Sequence, residues 1–270
     1  MAKAIVTALA AGLIFSMIGA AGAQEVQSEP SPHRGTGQTE PATATTSTGP
    51  FGGNITGSVS FLTDYAFRGV SQTGRSAAVQ GGLEYAYQIN TPALELYASI
   101  WGSNVKFTDA TVELDYTAGV RGAVGDFKYN VNAVYFAYPG AADNLKYNFY
   151  EVGGQVAYDL PFATPAVGYR FTPENFGRSG QAHYVYAELN VPINVLPDNK
   201  PRIFGHIGRS YIEDNTRFAL PDYTDWMVGV GFSAFTLDFA LQYVDTSIRK
   251  GACGSNACDA RAIFSVSRAF

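Results

Sequence analysis

Residues 112–121 read VELDYTAGVR. Val112, Leu114, Tyr116, Ala118 and Val120 share one parity, and Glu113, Asp115, Thr117 and Arg121 share the other. Successive side chains of a strand point to opposite faces, so this segment predicts a strand with one apolar face and one charged face. The pattern recurs near the C-terminus, where Leu237, Phe239, Leu241 and Tyr243 oppose Thr236, Asp238 and Gln242. It also opens the folded part of the chain, with Ile55, Val59, Phe61, Tyr65 and Phe67 against Ser58, Ser60, Asp64 and Arg68.

Working outward from these, about twelve alternating segments separated by turn residues can be marked. They cover residues 54–69, 77–88, 94–107, 111–122, 127–138, 148–160, 165–172, 182–192, 202–212, 223–233, 235–247 and 260–270. Most reach the length, about 9–11 residues, at which a tilted strand crosses a membrane. A soluble sandwich would show the same alternation, because its apolar faces would pack together and its polar faces would meet water.

Three features favour a closed transmembrane barrel over the sandwich. Aromatic residues gather at segment ends, as in Tyr65/Phe67, Tyr85/Tyr87, Tyr135/Tyr138, Tyr147/Phe149/Tyr150, Tyr169/Phe171 and Tyr223/Trp226, which is where an interfacial girdle sits. Compact connections at 123–126, 161–164 and 233–234 alternate with longer polar ones at 140–146, 173–181, 213–222 and 249–259. That asymmetry is the one between short periplasmic turns and longer external loops. The chain also ends on an alternating segment, ARAIFSVSRAF at 260–270, whose terminal Phe270 looks like the signal read by the barrel-assembly machinery. Phe264, Val266 and Phe270 share a parity there, while Arg268 occupies a slot that is usually apolar.

Composition agrees. The 270 residues are 14% aromatic and only 15% charged, with 29 glycines, and mean hydropathy is -0.03. Soluble domains average about 25% charged residues. Beyond the N-terminus there is no long apolar run, which excludes a bundle of membrane helices. The net charge of -5 and the lack of a basic cluster argue against a nucleic-acid partner. His33, His183 and His206 with Cys253 and Cys258 are too few and too scattered for a metal cage, so neither a metal nor a cofactor is expected.

At the N-terminus Lys3 precedes the apolar stretch 4–20, which closes on Ala21-Gly22-Ala23. This predicts a secretory signal peptide over 1–23 and export beyond the inner membrane. Residues 24–50, rich in Ser, Thr, Pro and Gly, have no hydrophobic period and read as a disordered periplasmic linker. The expected architecture is therefore all-β: a single antiparallel up-and-down outer-membrane barrel over 51–270, with lipid as its surroundings.

The first segment and its continuation, TDYAFRGVSQT at 63–73, with VQGGLEYAY at 79–87, LYASIWGSNVKF at 96–107, VELDYTAG at 112–119, YPGA at 138–141 and YNFYE at 147–151, resembles the proteobacterial Gcw_chp family of exported proteins, also called the TorF porin family. The resemblance covers about residues 54–270. It implies an outer-membrane barrel and a pore, with no established substrate and no catalytic residues.

Threading the strands from a periplasmic N-terminus, parity turns Asp64, Arg68, Glu113, Asp115, Glu151, Arg170, Asp225 and Arg261 inward, in the external half of the barrel. Glu95, Lys128 and Asp238 fall toward the periplasmic end. Such a lining suits small polar solutes or ions, and these residues are the candidates for lining a pore. The alternatives are a non-conducting structural or adhesive barrel whose inner charges pair and plug it, and, less favoured, a hydrolase. A hydrolase needs a nucleophile, base and orienting acid, and no such motif surrounds His183, Ser179 and Glu188 or His206, so the expectation is no enzyme. Cys253 and Cys258 lie in the connection before the last strand, an external and oxidising place where a disulfide is expected.

Overall fold

The computed structural model describes residues 47–89, 93–193, 199–217, 220–253 and 256–270. The signal peptide expected at 1–23 and most of the linker expected at 24–50 lie outside the described residues. The described chain begins with β1 (Ser47–Thr48), which pairs with the start of β2 (Asn54–Leu62). A small hairpin follows, β3 (Ala66–Phe67) and β4 (Val70–Ser71). The remaining strands are β5 (Ala78–Gln88), β6 (Glu95–Asn104), β7 (Val112–Val124), β8 (Phe127–Ala137), β9 (Phe149–Tyr158) and β10 (Thr164–Thr172). They continue with β11 (Ala182–Pro192), β12 (Arg202–Ile212), β13 (Tyr223–Ala234), β14 (Leu237–Thr246) and β15 (Arg261–Ala269).

From β5 to β15 each strand pairs antiparallel with the next. β2 pairs with β5 on one side and β15 on the other, in a register that sets Phe61 opposite Val266. The sheet thus closes on itself and leaves no free edge, as a β structure in lipid must. β2 and β5–β15 make an all-β barrel of 12 antiparallel strands.

One end carries tight turns, two of them of two residues, 125–126 and 235–236. The other end carries the connections 63–77, 105–111, 138–148, 173–181, 213–222 and 247–260. We call these the turn end and the loop end.

The two faces are partitioned inside out relative to a soluble protein. Val131, Leu241 and Val228 on the outer face are 54%, 52% and 54% exposed, whereas Asp115, Asp225 and Glu113 inside are at most 2% exposed. A soluble sandwich would reverse this arrangement, since bare apolar area costs roughly 25 cal/mol per Å² in water and charge belongs in solvent. The outer face needs lipid, and the sandwich alternative falls.

The first segment departs from expectation. β2 ends at Leu62 instead of running to residue 69. Beyond it the chain turns into the barrel as the β3–β4 hairpin, whose two turn residues, Arg68 and Gly69, have φ of 47° and 78°. The alternation continues because the hairpin is itself extended, but it no longer belongs to the wall. Tyr65 and Phe67 are therefore not girdle residues. Tyr65 is buried edge-on against Trp101, with ring centroids 5.6 Å apart, and Phe67 packs on Phe136 at 5.8 Å.

Tyr138, Tyr147, Phe149 and Tyr223 likewise face inward and are buried, while Tyr87, Tyr135, Tyr150 and Tyr169 face outward as a girdle requires. Phe107, Tyr138, Tyr147 and Phe176 come from three loop-end connections and pack ring against ring, so these inward aromatics form a cap at that end of the barrel.

Candidate functional site

The hairpin segment 63–77 builds the site, because it leaves the wall at β2, crosses the loop end of the lumen and touches the wall at many strands. Tyr65 donates its hydroxyl proton to Glu113 of β7 at 2.8 Å. Burial, then the fields of Glu113 and Asp115, push the Tyr65 phenol well above its usual pKa, so it remains a donor. At the hairpin tip the Arg68 guanidinium donates to Glu151 of β9 at 2.6 Å and lies 4.2 Å above the Tyr184 ring of β11.

Gly69, beside it, is pressed against β13 and β14. A Cβ there would meet Thr246 at 2.5 Å and Asp225 at 2.9 Å, so a residue with a side chain does not fit. On the return, Asp64 accepts hydrogen bonds from Ser71 at 2.6 Å and Thr73 at 2.8 Å and forms an ion pair with Arg261 of β15. Arg261 also donates to the Gly69 carbonyl at 3.1 Å.

All eight residues read from parity lie inside the barrel or on this hairpin. Asp64, Arg68, Glu113, Glu151 and Arg261 are brought together by the hairpin. Asp115 is fully buried, flanked across the strands by Trp101 and Phe136. Arg170 donates to Asn132 of β8, and Asp225 accepts from the Tyr184 hydroxyl at 3.0 Å. The charges are divided between the wall and a loop lying across it.

Parity also places other residues whose partners the sequence could not supply. Arg121 is held between Glu84, at 2.6 Å, and Glu95, with its guanidinium 4.6 Å from the Tyr97 ring. Nearer the turn end, Lys128 pairs with Asp159 at 2.9 Å, and Asp238 accepts from Ser233 at 2.6 Å. His206 of β12 faces two carboxylates, Glu188 at 3.2 Å and Asp225 at 3.3 Å, and bonds to Tyr184 at 2.6 Å. The Tyr184 and Tyr186 rings lie along the inner wall beside it, over Gly208 and Gly168, where a Cβ would fall 2.0 Å from the Tyr184 hydroxyl and 2.2 Å from the Tyr186 ring. His183 instead meets the Tyr169 hydroxyl at 2.6 Å, on the outer side. At the loop end Cys253 and Cys258 form a disulfide, with a Cα–Cα distance of 6.2 Å, and Cys258 packs with Tyr223 and Ile248.

Comparison with known proteins agrees with this geometry. The chain belongs to the Gcw_chp family, described as bacterial proteins of unknown function, whose family model matches residues 44–270. Among solved structures, the NanC porin in its rhombohedral crystal form is similar, with a TM-score of 0.50 and 8% identity over 79% of this chain and 97% of that one. A chain from work on the mechanism of in-meso crystallization of membrane proteins has a TM-score of 0.51 at 8% identity, covering 80% of this chain and 83% of that one. The KdgM porin has a TM-score of 0.48 at 10% identity over 79% and 99%. A search of curated protein sequences finds no match. Identities this low establish a shared fold, the closed barrel of outer-membrane porins.

Proposed function

We propose that this chain is an outer-membrane channel for small polar solutes or ions, exported through its N-terminal signal sequence and narrowed at the loop end by the 63–77 hairpin. The observation that carries the reading is the inverted partition, with acidic and basic side chains on the inside and an apolar belt outside. A lining of fixed charges orients polar solutes and sets which ion lingers. Among the eight inward candidates the acids Asp64, Glu113, Asp115, Glu151 and Asp225 outnumber Arg68, Arg170 and Arg261, which favours cations.

Twelve strands lie between the barrels of about eight strands that side chains fill and those of about sixteen that leave a wide channel, so conductance should be small. The reading involves no bond-making step. His206 bonds to Tyr184 and Glu188, and Asp225 lies 3.3 Å from its ring.

Planar-bilayer recording tests the proposal. In a salt gradient the reversal potential should indicate mild cation preference, fading toward molar salt, where the Debye length is about 3 Å. Glu113→Gln with Asp115→Asn should move it toward anions. A folded barrel with no conductance would give the ground to a non-conducting surface barrel, the second reading, which is favoured by the hairpin lying across the lumen.

A further inference from the structure

The hairpin tip carries a positive charge to a wall shaped to receive one. Glu151, Tyr184 and Asp225 belong to β9, β11 and β13, so the seat is part of the barrel, while its occupant, Arg68, belongs to a loop. The Tyr184 ring is held by contacts of the wall itself. Asp225 accepts its hydroxyl proton at 3.0 Å, and the glycine at 208 leaves the space its edge fills. A guanidinium over an aromatic face with a carboxylate bonded to it is an arrangement that suits this group, since it is planar, delocalised and weakly hydrated.

Anchoring alone does not explain the charge at the tip. A buried ion pair contributes little net stability relative to an apolar pair of the same size. Nor is the wall around the tip neutral once the loop is set aside. Glu113, Asp115, Glu151 and Asp225 face Arg170 and Arg261, and the latter is paired with the loop's own Asp64.

We infer that Arg68 is a tethered occupant of a cation seat formed by Glu151 and Tyr184, and that the solutes this channel takes by preference are small guanidinium-bearing cations that replace it there. The inference rests on the channel reading for its physiological meaning, though the seat can be tested without it. A short tether presents Arg68 at an effective concentration in the millimolar range. A free guanidinium therefore competes poorly with it in the intact chain and well once the arginine is gone.

Calorimetry with argininamide on the full-length, detergent-folded barrel provides the test. Binding should be weak in the wild type, at least tenfold tighter in Arg68→Ala, and at least tenfold weaker again when Glu151→Gln is added to Arg68→Ala. Lysinamide and glutamate should bind the Arg68→Ala barrel at least tenfold less tightly than argininamide does. Heat-modifiable migration certifies the fold of each variant, and Arg68→Gln replaces the alanine variant if that one does not fold. Equal binding by wild type and variant, or equal binding of lysinamide and argininamide, overturns the inference. Bilayer recording separates the two claims. Conductance without preference for argininamide overturns the seat and leaves the channel, whereas binding without conductance in Arg68→Ala keeps the seat and removes the channel.

Discussion

Gly57 of the first barrel strand and Phe270, the last residue of the chain, exchange two backbone hydrogen bonds, from Gly57 N to Phe270 O at 2.8 Å and from Phe270 N to Gly57 O at 3.0 Å. This exchange continues the β15–β2 ladder by one residue and completes the seam at which the barrel closes. Deleting Phe270 should therefore lower the heat-modifiable fraction of the refolded protein, and more so than Phe270→Ala, which keeps the backbone pair. The ring is half exposed, so it can swing aside from a Cβ at position 57, and Gly57→Ala should refold nearly as well as the wild type. The reverse order in a gel-shift refolding assay would show that the ring, not the seam, drives closure.

The outer face makes a second, depth-dependent prediction. Val131 stands midway along β8 and is 54% exposed. Val131→Arg should cost roughly 2–4 kcal/mol of folding stability in lipid vesicles, as a cation near the bilayer midplane does. The same change at Val124, at the turn-end limit of β7, should cost no more than about 1 kcal/mol. Equal costs in vesicle unfolding titrations would mean that this face is not spread across a bilayer.

Arg121 pairs with two acids at once, Glu84 and Glu95, so its removal strips both of their cation. Arg121→Met leaves the partly buried Glu84 and Glu95 without their cation, a loss of about 1–3 kcal/mol, below that of a fully buried pair. Adding Glu84→Gln and Glu95→Gln should restore much of it, because the three groups act as a unit. Denaturant titration of the single and triple variants checks this, and a triple variant no more stable than Arg121→Met would contradict it.

Reduction of Cys253–Cys258 should have a small effect. The bridge spans a sequence separation of 5, so the entropy it removes from the unfolded chain is worth under about 3 kcal/mol. The unfolding midpoint should fall only slightly with reductant, while a maleimide should label two thiols only after reduction. Two thiols labelled in the native, unreduced protein would show that the bridge is absent.

Period-two alternation by itself determined that about twelve two-faced strands follow one another and that the last segment is one of them, because successive side chains of a hydrogen-bonded strand point to opposite faces. Residues 112–124 and 237–246 can be read almost as they stand, and the inward direction of Glu113, Asp115, Arg121 and Asp238 follows from parity alone. What the tertiary structure alone decided is where a segment leaves the wall and which charges meet. Alternation runs unbroken from β2 into the β3–β4 hairpin, so Tyr65 has the parity of a girdle residue although the fold sets it against Trp101. Parity assigns a face and never a partner. Asp64 meets Arg261 across 197 residues of sequence, and Arg68 meets Glu151 across 83, only because the barrel closes and its first loop folds into the space that closure encloses.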